Sequence, residues 1–127
     1  MIPLEVPFTE SERSCLERFV AVLRRMRRDD VRAVWLFGSF ARGDMWGRRM
    51  PMNSDIDLFI VTEAAVDEAE RDAILNETYP LYLECGRQIS PQFWSVAKWD
   101  DPPGDTAKAF KRLILGEGKR IFPEEDI

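Results

Sequence analysis

The stretch Asp55-Ile56-Asp57-Leu58-Phe59-Ile60-Val61-Thr62 restricts this chain more than any other. A short run of β-branched, aromatic and aliphatic residues reads as a strand buried in a sheet. Side chains two apart in a strand share a face, so Asp55 and Asp57 project together while Ile56 and Leu58 turn to the core. Two carboxylates on one face repel each other unless a cation lies between them. Hard divalent ions such as Mg²⁺ take oxygen ligands, often one or two carboxylates with substrate phosphates. The plain alternative is a solvated edge-strand pair, and the apolar Leu-Phe-Ile-Val that follows weighs against it.

A second apolar stretch, Val31 to Phe37, also reads as a buried strand and runs straight into Gly38-Ser39. Glycine permits a sharp bend and lets a phosphate approach main-chain N–H groups. A short helix over Phe40–Gly43 would add free N–H donors and a partial positive charge, and the Ser39 hydroxyl one more donor. Taken alone, the Gly-Ser pair reads as a tight turn.

Around these strands the chain alternates. Thr9 and Glu12 form a capping-box pattern, after which Leu16, Phe19, Val20, Leu23 and Met26 recur at helical spacing. Asp44 to Asn53 reads as an exposed loop and Ala64 to Asn76 as a helix. Leu81 to Trp94 holds strand-like pieces, and Asp100 to Asp105 a loop. Thr106 to Leu115 is a last helix, stopped by Gly116 and Gly118. The order α-β-(turn)-β-α-β-α predicts one α/β (α+β) domain over residues 1–127, a mixed sheet with helices packed mainly on one face.

Composition removes several classes of function. The 45% hydrophobic content supports a real core, and the net charge of −5, from 18 basic and 23 acidic residues, disfavours gripping a nucleic-acid backbone. A mononucleotide carried with Mg²⁺ is not disfavoured. There is no histidine, so a Ser–His or Cys–His nucleophile is excluded. Two cysteines, Cys15 and Cys85, support neither a disulfide framework nor a structural zinc site and read as small buried thiols. Arg24, Arg25, Arg27, Arg28 and Arg32 read as a solvated helix end rather than a partner-binding patch. The N-terminus shows no basic segment leading into an apolar run, and no apolar run reaches membrane-spanning length. The expectation is a cytoplasmic protein without a membrane partner.

Leu36-Phe37-Gly38-Ser39-Phe40-Ala41-Arg42-Gly43, followed by Ser54-Asp55-Ile56-Asp57-Leu58, resembles the core motif of the DNA polymerase β-like nucleotidyltransferases. It looks most like the minimal nucleotidyltransferases, which lack added substrate domains. The resemblance implies the palm-like fold of that superfamily. It also implies a phosphate-holding role for Gly38 and Ser39, with Arg42 and Ser54 on the same nucleotide-binding side, and Mg²⁺ ligation by Asp55 and Asp57. A third carboxylate from a following strand is expected to activate the acceptor. The expected strand is Leu83 to Pro91, on which Glu84, Gly86, Gln88 and Ser90 share a face. The family's acidic position falls near Ser90, so Glu84 is the only candidate carboxylate on that face, with a solvated strand residue as its plain reading. The span from Ser39 to Asp55 exceeds the family's usual spacing by a loop carrying Arg48 and Arg49.

Ile89-Ser90-Pro91 and Phe110…Gly116-Glu117-Gly118 also resemble stand-alone members often paired with an all-helical HEPN-type toxin. The implied function is Mg-dependent transfer of a nucleotidyl group, AMP from ATP, to a protein hydroxyl, as antitoxin to such a toxin. One alternative is an antitoxin that masks its partner with little catalysis. A further alternative is transfer to a small molecule such as an aminoglycoside. Phe8, Trp46, Trp94 and Trp99 read either as an aromatic partner surface or as core and rim aromatics.

Overall fold

A computed structural model of the chain describes residues 8–38, 41 and 55–123, with the side chain of residue 28 outside that description. Helix α1 (Glu10–Arg27) leads through a 3₁₀ turn (Arg28–Asp30) into β1 (Val31–Phe37). Then come β2 (Ile56–Thr62), α2 (Glu68–Cys85), β3 (Ile89–Ser95), a short α3 (Val96–Asp100), α4 (Gly104–Glu117) and β4 (Lys119–Phe122). Among the described residues the strands form one mixed sheet in the order β3-β2-β1-β4. The β1–β2 and β1–β4 pairs are antiparallel and β2–β3 is parallel. This is the mixed α+β sheet that the sequence predicts.

The predicted capping box forms and starts α1. Glu12 N–H donates to Thr9 Oγ1 at 3.1 Å, and Thr9 N–H donates to Glu12 Oε1 at 2.8 Å. The predicted apolar stripe is the buried one: Leu16, Phe19, Val20 and Leu23 sit in the main core, while Met26 is left exposed. Ile74, Thr78 and Leu81 of α2 are buried on the same side of the sheet, over Val34 and Leu36 of β1 and Ile56, Leu58 and Ile60 of β2.

The opposite face carries a second, aromatic core. Alternation along β1 and β2 turns Ala33, Trp35, Phe37, Phe59 and Val61 that way, where Trp94, Trp99, Phe110 and Ile114 cover them. Phe59 is the hub, with ring centroids 5.2 Å from Trp94, 5.4 Å from Trp99 and 5.2 Å from Phe110. The two longest helices share one face, as expected, and α4 closes the other.

The structure departs from the sequence reading in several places. A short helix, Val96–Asp100, runs into the stretch read as a loop, and the last helix spans Gly104–Glu117 and passes Gly116. Three further features have clear causes. Helix α2 starts at Glu68, where Asp67 Oδ1 caps Glu70 N–H at 2.8 Å, and continues nine residues past Asn76, through Pro80, to Cys85. Proline forfeits one ladder bond there. Burial of Ile74, Thr78 and Leu81 on the sheet outweighs it, and the helix ends only at Gly86, φ 74°, whose N–H bonds Tyr82 C=O at 2.9 Å. Strand β4 was hidden by its charged start, Lys119-Arg120. Its reversal out of α4 needs Gly118, whose N–H donates to Ile114 C=O at 2.8 Å and where a Cβ would press on that carbonyl and, at 3.2 Å, on the Trp35 ring. The arginine cluster is not simply solvated. Arg27 is largely buried and bonds Glu70, Asp30 and the Ala64 carbonyl, Arg24 lies 4.4 Å over the Phe122 ring, and Arg25 and Arg32 pair with Glu77 and Glu63.

Candidate active site

The candidate site lies where β1 ends, β2 begins and β3 passes beside them. The register pairs Phe37 with Asp57, so Gly38 follows directly at the mouth of the sheet. Gly38 has φ 78°, a left-handed conformation that L side chains rarely adopt. It also has no room for one: a Cβ at Gly38 would collide with Asp57 Oδ2 and lie 3.2 Å from Asp57 Cγ. The glycine is thus required twice, once for the bend and once because its backbone lies against a carboxylate.

Asp55 stands exposed just before β2, and Asp57 is half-buried within it. Between them Ile56 points to the main core at 0% exposure, with Leu58 and Ile60 likewise sealed. Strand alternation therefore aims the Asp57 carboxylate at the aromatic face, at its open end, with Asp55 just before the strand. Ser90 joins them from β3. It stands in register with Asp57, and its Oγ donates to Asp55 Oδ2 at 2.9 Å. The structure thus brings together Gly38, Asp55, Asp57 and Ser90. Ser39, Arg42 and Ser54 lie outside the described residues.

Glu84 is not part of this group, which corrects the strand reading of Leu83–Pro91. It sits in the last turn of α2, 50% exposed, and its carboxylate is ion-paired with Arg18 of α1. The Arg18 guanidinium holds that carboxyl below the usual carboxylate range. The physical reason is Gly86: as a left-handed helix stop it separates Glu84 from β3, which begins only at Ile89. Among the described residues no group of three or more Asp, Glu, Cys or His side chains gathers around a common point. The donors present are all oxygen, two carboxylates and a hydroxyl beside an open glycine turn, and this set fits a hard divalent cation better than a soft one.

The environment of the site is built from the motif as well. Ala41 is 4% exposed and belongs to the main core, so the alanine of Gly-Ser-x-Ala-Arg-Gly is a packing anchor. Phe37, next to Asp57 across the ladder, meets Phe110 of α4 edge-on at 5.5 Å. Trp94 and Trp99 lie in the aromatic core and Phe8 packs on the main one, which favours core over partner surface for these three; Trp46 lies outside the described residues. Both cysteines are free. Burial and the neighbouring Cys85 thiol push Cys15 up to about 12, so it stays a protonated thiol at neutral pH. Sequence reasoning named Ser90 only as a position without an acid; its bond to Asp55 depends on the parallel β2–β3 register, which no local pattern reveals.

Comparison with known proteins agrees with this fold. The family model described as polymerase beta, nucleotidyltransferase matches residues 22–126. No curated protein sequence matches the chain. Among solved structures, a toxin–antitoxin complex with AMP-PNP is 15% identical with a TM-score of 0.52, covering 82% of this chain and 70% of that one. A variant of the toxin–antitoxin MntA–HpeT gives a TM-score of 0.52 at 13% identity, covering 82% and 69%. The tri-AMPylated HEPN toxin of Shewanella oneidensis in complex with its MNT antitoxin gives 0.51 at 13% identity, covering 85% and 69%. At such identities the likeness speaks for the fold. The family model, which spans most of the chain and includes Gly38, Asp55 and Asp57, places this protein in the polymerase beta nucleotidyltransferase family.

Proposed function

We propose that this protein is a Mg²⁺-dependent nucleotidyltransferase that moves AMP from ATP to a hydroxyl of a HEPN-type partner protein and so acts as its antitoxin. The observation that carries the reading is the junction of Gly38, Asp55 and Asp57: one carboxylate at the start of β2 and one just before it, beside a left-handed glycine whose backbone packs against Asp57. The solved structures of similar fold, one with AMP-PNP and one with an AMPylated HEPN toxin, support the choice of nucleotide and partner.

In this reading Asp55 and Asp57 hold the cation, and the Gly38-Ser39 turn receives the β- and γ-phosphates, with Arg42 and Ser54 on the same side. Bound Mg²⁺ supplies charge stabilisation to the phosphates. The acceptor oxygen forms a bond to the α-phosphorus, the bond from that phosphorus to the bridging oxygen breaks, and pyrophosphate leaves with the electron pair. The acceptor's proton passes to solvent, since the strand beside Asp57 offers Ser90 where a base would stand. That last point favours a second reading, in which catalysis is slow and the protein acts chiefly by binding its partner.

The test is ATP binding by calorimetry with and without Mg²⁺, on the native chain and on Asp55→Ala/Asp57→Ala, followed by AMP transfer from labelled ATP to the partner. Mg-dependent binding lost in the double variant, with transfer, supports the first reading. Binding and partner neutralisation without transfer support the second. A folded native chain that binds no Mg–ATP overturns the site assignment.

A further inference from the structure

We propose that Ser90 is the positioning residue of the cation site: its hydroxyl fixes the Asp55 carboxylate beside Asp57, and its neutrality keeps the carboxylate set at two. The inference rests on the assignment of Asp55 and Asp57 as cation ligands under the proposed function. Asp55 lies just outside β2, exposed, where no backbone ladder holds its side chain. The hydrogen bond from Ser90 Oγ to Asp55 Oδ2, at 2.9 Å, ties that carboxylate to β3. Ser90 is in register with Asp57, so the bond draws Asp55 toward the strand position that Asp57 occupies.

The strand around Ser90 is well anchored. Ile89 and Pro91, its neighbours, are buried, and Ile56 N–H bonds Gln88 C=O at 2.9 Å, fixing the parallel ladder at its first rung. Ser90 is therefore a donor within the ladder and Asp55 an exposed acceptor just outside it, which is an arrangement that orients a ligand from behind. A bond of this kind leaves Asp55 Oδ1 and the remaining lone pairs of Oδ2 available to a cation. An acid at residue 90 would instead add a third negative charge to the group. It would repel Asp55 without a cation and strengthen the site's hold on one when it is present.

The experiment measures Mn²⁺ affinity by electron paramagnetic resonance, in the presence of a non-hydrolysable ATP analogue, on the native chain and on Ser90→Ala, Ser90→Thr and Ser90→Asp. Thermal midpoints are taken without metal. Ser90→Ala is expected to weaken Mn²⁺ binding roughly threefold to tenfold, the worth of one ordinary solvent-exposed hydrogen bond, with little change in the midpoint. Ser90→Thr, which keeps the hydroxyl, is expected to bind as the native chain does. Ser90→Asp is expected to bind Mn²⁺ more tightly and to lower the metal-free midpoint. Equal affinity in native chain and Ser90→Ala, or a Thr variant as weak as the Ala variant, overturns the positioning role while leaving the cation site intact. An Asp variant that binds no more tightly overturns the charge argument. A native chain that binds no Mn²⁺ with the analogue overturns the underlying assignment as well, so the two failures are distinct. Should Ser90→Ala not fold, the Thr and Asp variants still decide the matter.

Discussion

Two carboxylates of this protein, Glu12 and Asp55, reach across to the β3 side of the molecule and meet very different partners. Glu12 is 4% exposed and is held by the Arg87 guanidinium, itself 3% exposed, just before β3 begins. Asp55 is exposed and is held by the Ser90 hydroxyl, three residues further along. A buried charge must be neutralised from within the protein, because water cannot do it. The Glu12 carboxylate is thus committed to structure: it closes the capping box on Thr9 and pins α1 to the entrance of β3. The Asp55 carboxylate receives a bond that orients it without cancelling its charge. The difference separates an acid committed to the fold from one left exposed at the end of the sheet, where the proposed function places a cation.

The largest effect should come from the first of these. Glu12→Ala leaves the Arg87 guanidinium buried without its carboxylate and opens the cap, and is expected to cost about 3–5 kcal/mol of unfolding free energy. Denaturant unfolding checks it. Glu12→Leu/Arg87→Met, which removes both charges, should recover much of that loss. If the double variant is as unstable as the single one, the pair is not acting as a pair and the contrast with Asp55 fails.

A smaller loss is expected at the other site. Gly38→Ala forces a Cβ into a left-handed residue and against the Asp57 carboxylate. It should cost about 1–2 kcal/mol from the backbone and weaken Mg–ATP binding as well, since Asp57 must move. Unfolding and calorimetry on one preparation read both. A variant that loses stability but binds normally would show that the close approach of Gly38 to Asp57 matters to the fold alone.

The acid response should follow Glu12. Burial alone would raise its pKa, but the Thr9 N–H and the Arg87 guanidinium outweigh burial and hold the carboxyl below its ordinary value. Its stabilising contribution is therefore fully present above about pH 4.5 and is lost as pH falls through the depressed folded-state value. Stability measured from pH 7 to pH 3 should drop in that lower window, and Glu12→Gln should flatten the drop. Loss of stability confined to higher pH would point to other groups.

How much of this was legible depended on the range of the interactions involved. The capping box and the strand after Asp55 follow from residues a few positions apart; the box is found as read, and the strand begins one residue later than read, at Ile56, which leaves Asp55 just outside it. The Gly38 turn was legible as a bend, but its contact with Asp57 needs the β1–β2 register. Helix α2 ran past Pro80 because Leu81 finds the sheet, a tertiary gain that outweighs local propensity. The aromatic core was invisible for the same reason: Phe59, Trp94, Trp99 and Phe110 meet only once β2, β3, α3 and α4 are assembled.

The smallest expected effect is the sharpest test of that lesson. Alternation along a strand makes Glu84 a candidate third acid, with a solvated residue as the plainer reading, and the helix turns it to Arg18 on the surface. Exposed pairs of this kind contribute little, because water solvates both partners nearly as well as they solvate each other. Glu84→Gln is therefore expected to leave the thermal midpoint, Mg–ATP affinity and AMP transfer unchanged within error. Loss of transfer with the midpoint intact would mean that Glu84 reaches the reacting groups after all, and would restore it as a ligand against the geometry of α2. A lowered midpoint with transfer intact would mean that the bond to Arg18 holds α1 and α2 together more firmly than an exposed pair should. The unchanged outcome leaves Asp55 and Asp57 as the acids that the proposed chemistry uses, with Ser90 beside them on β3.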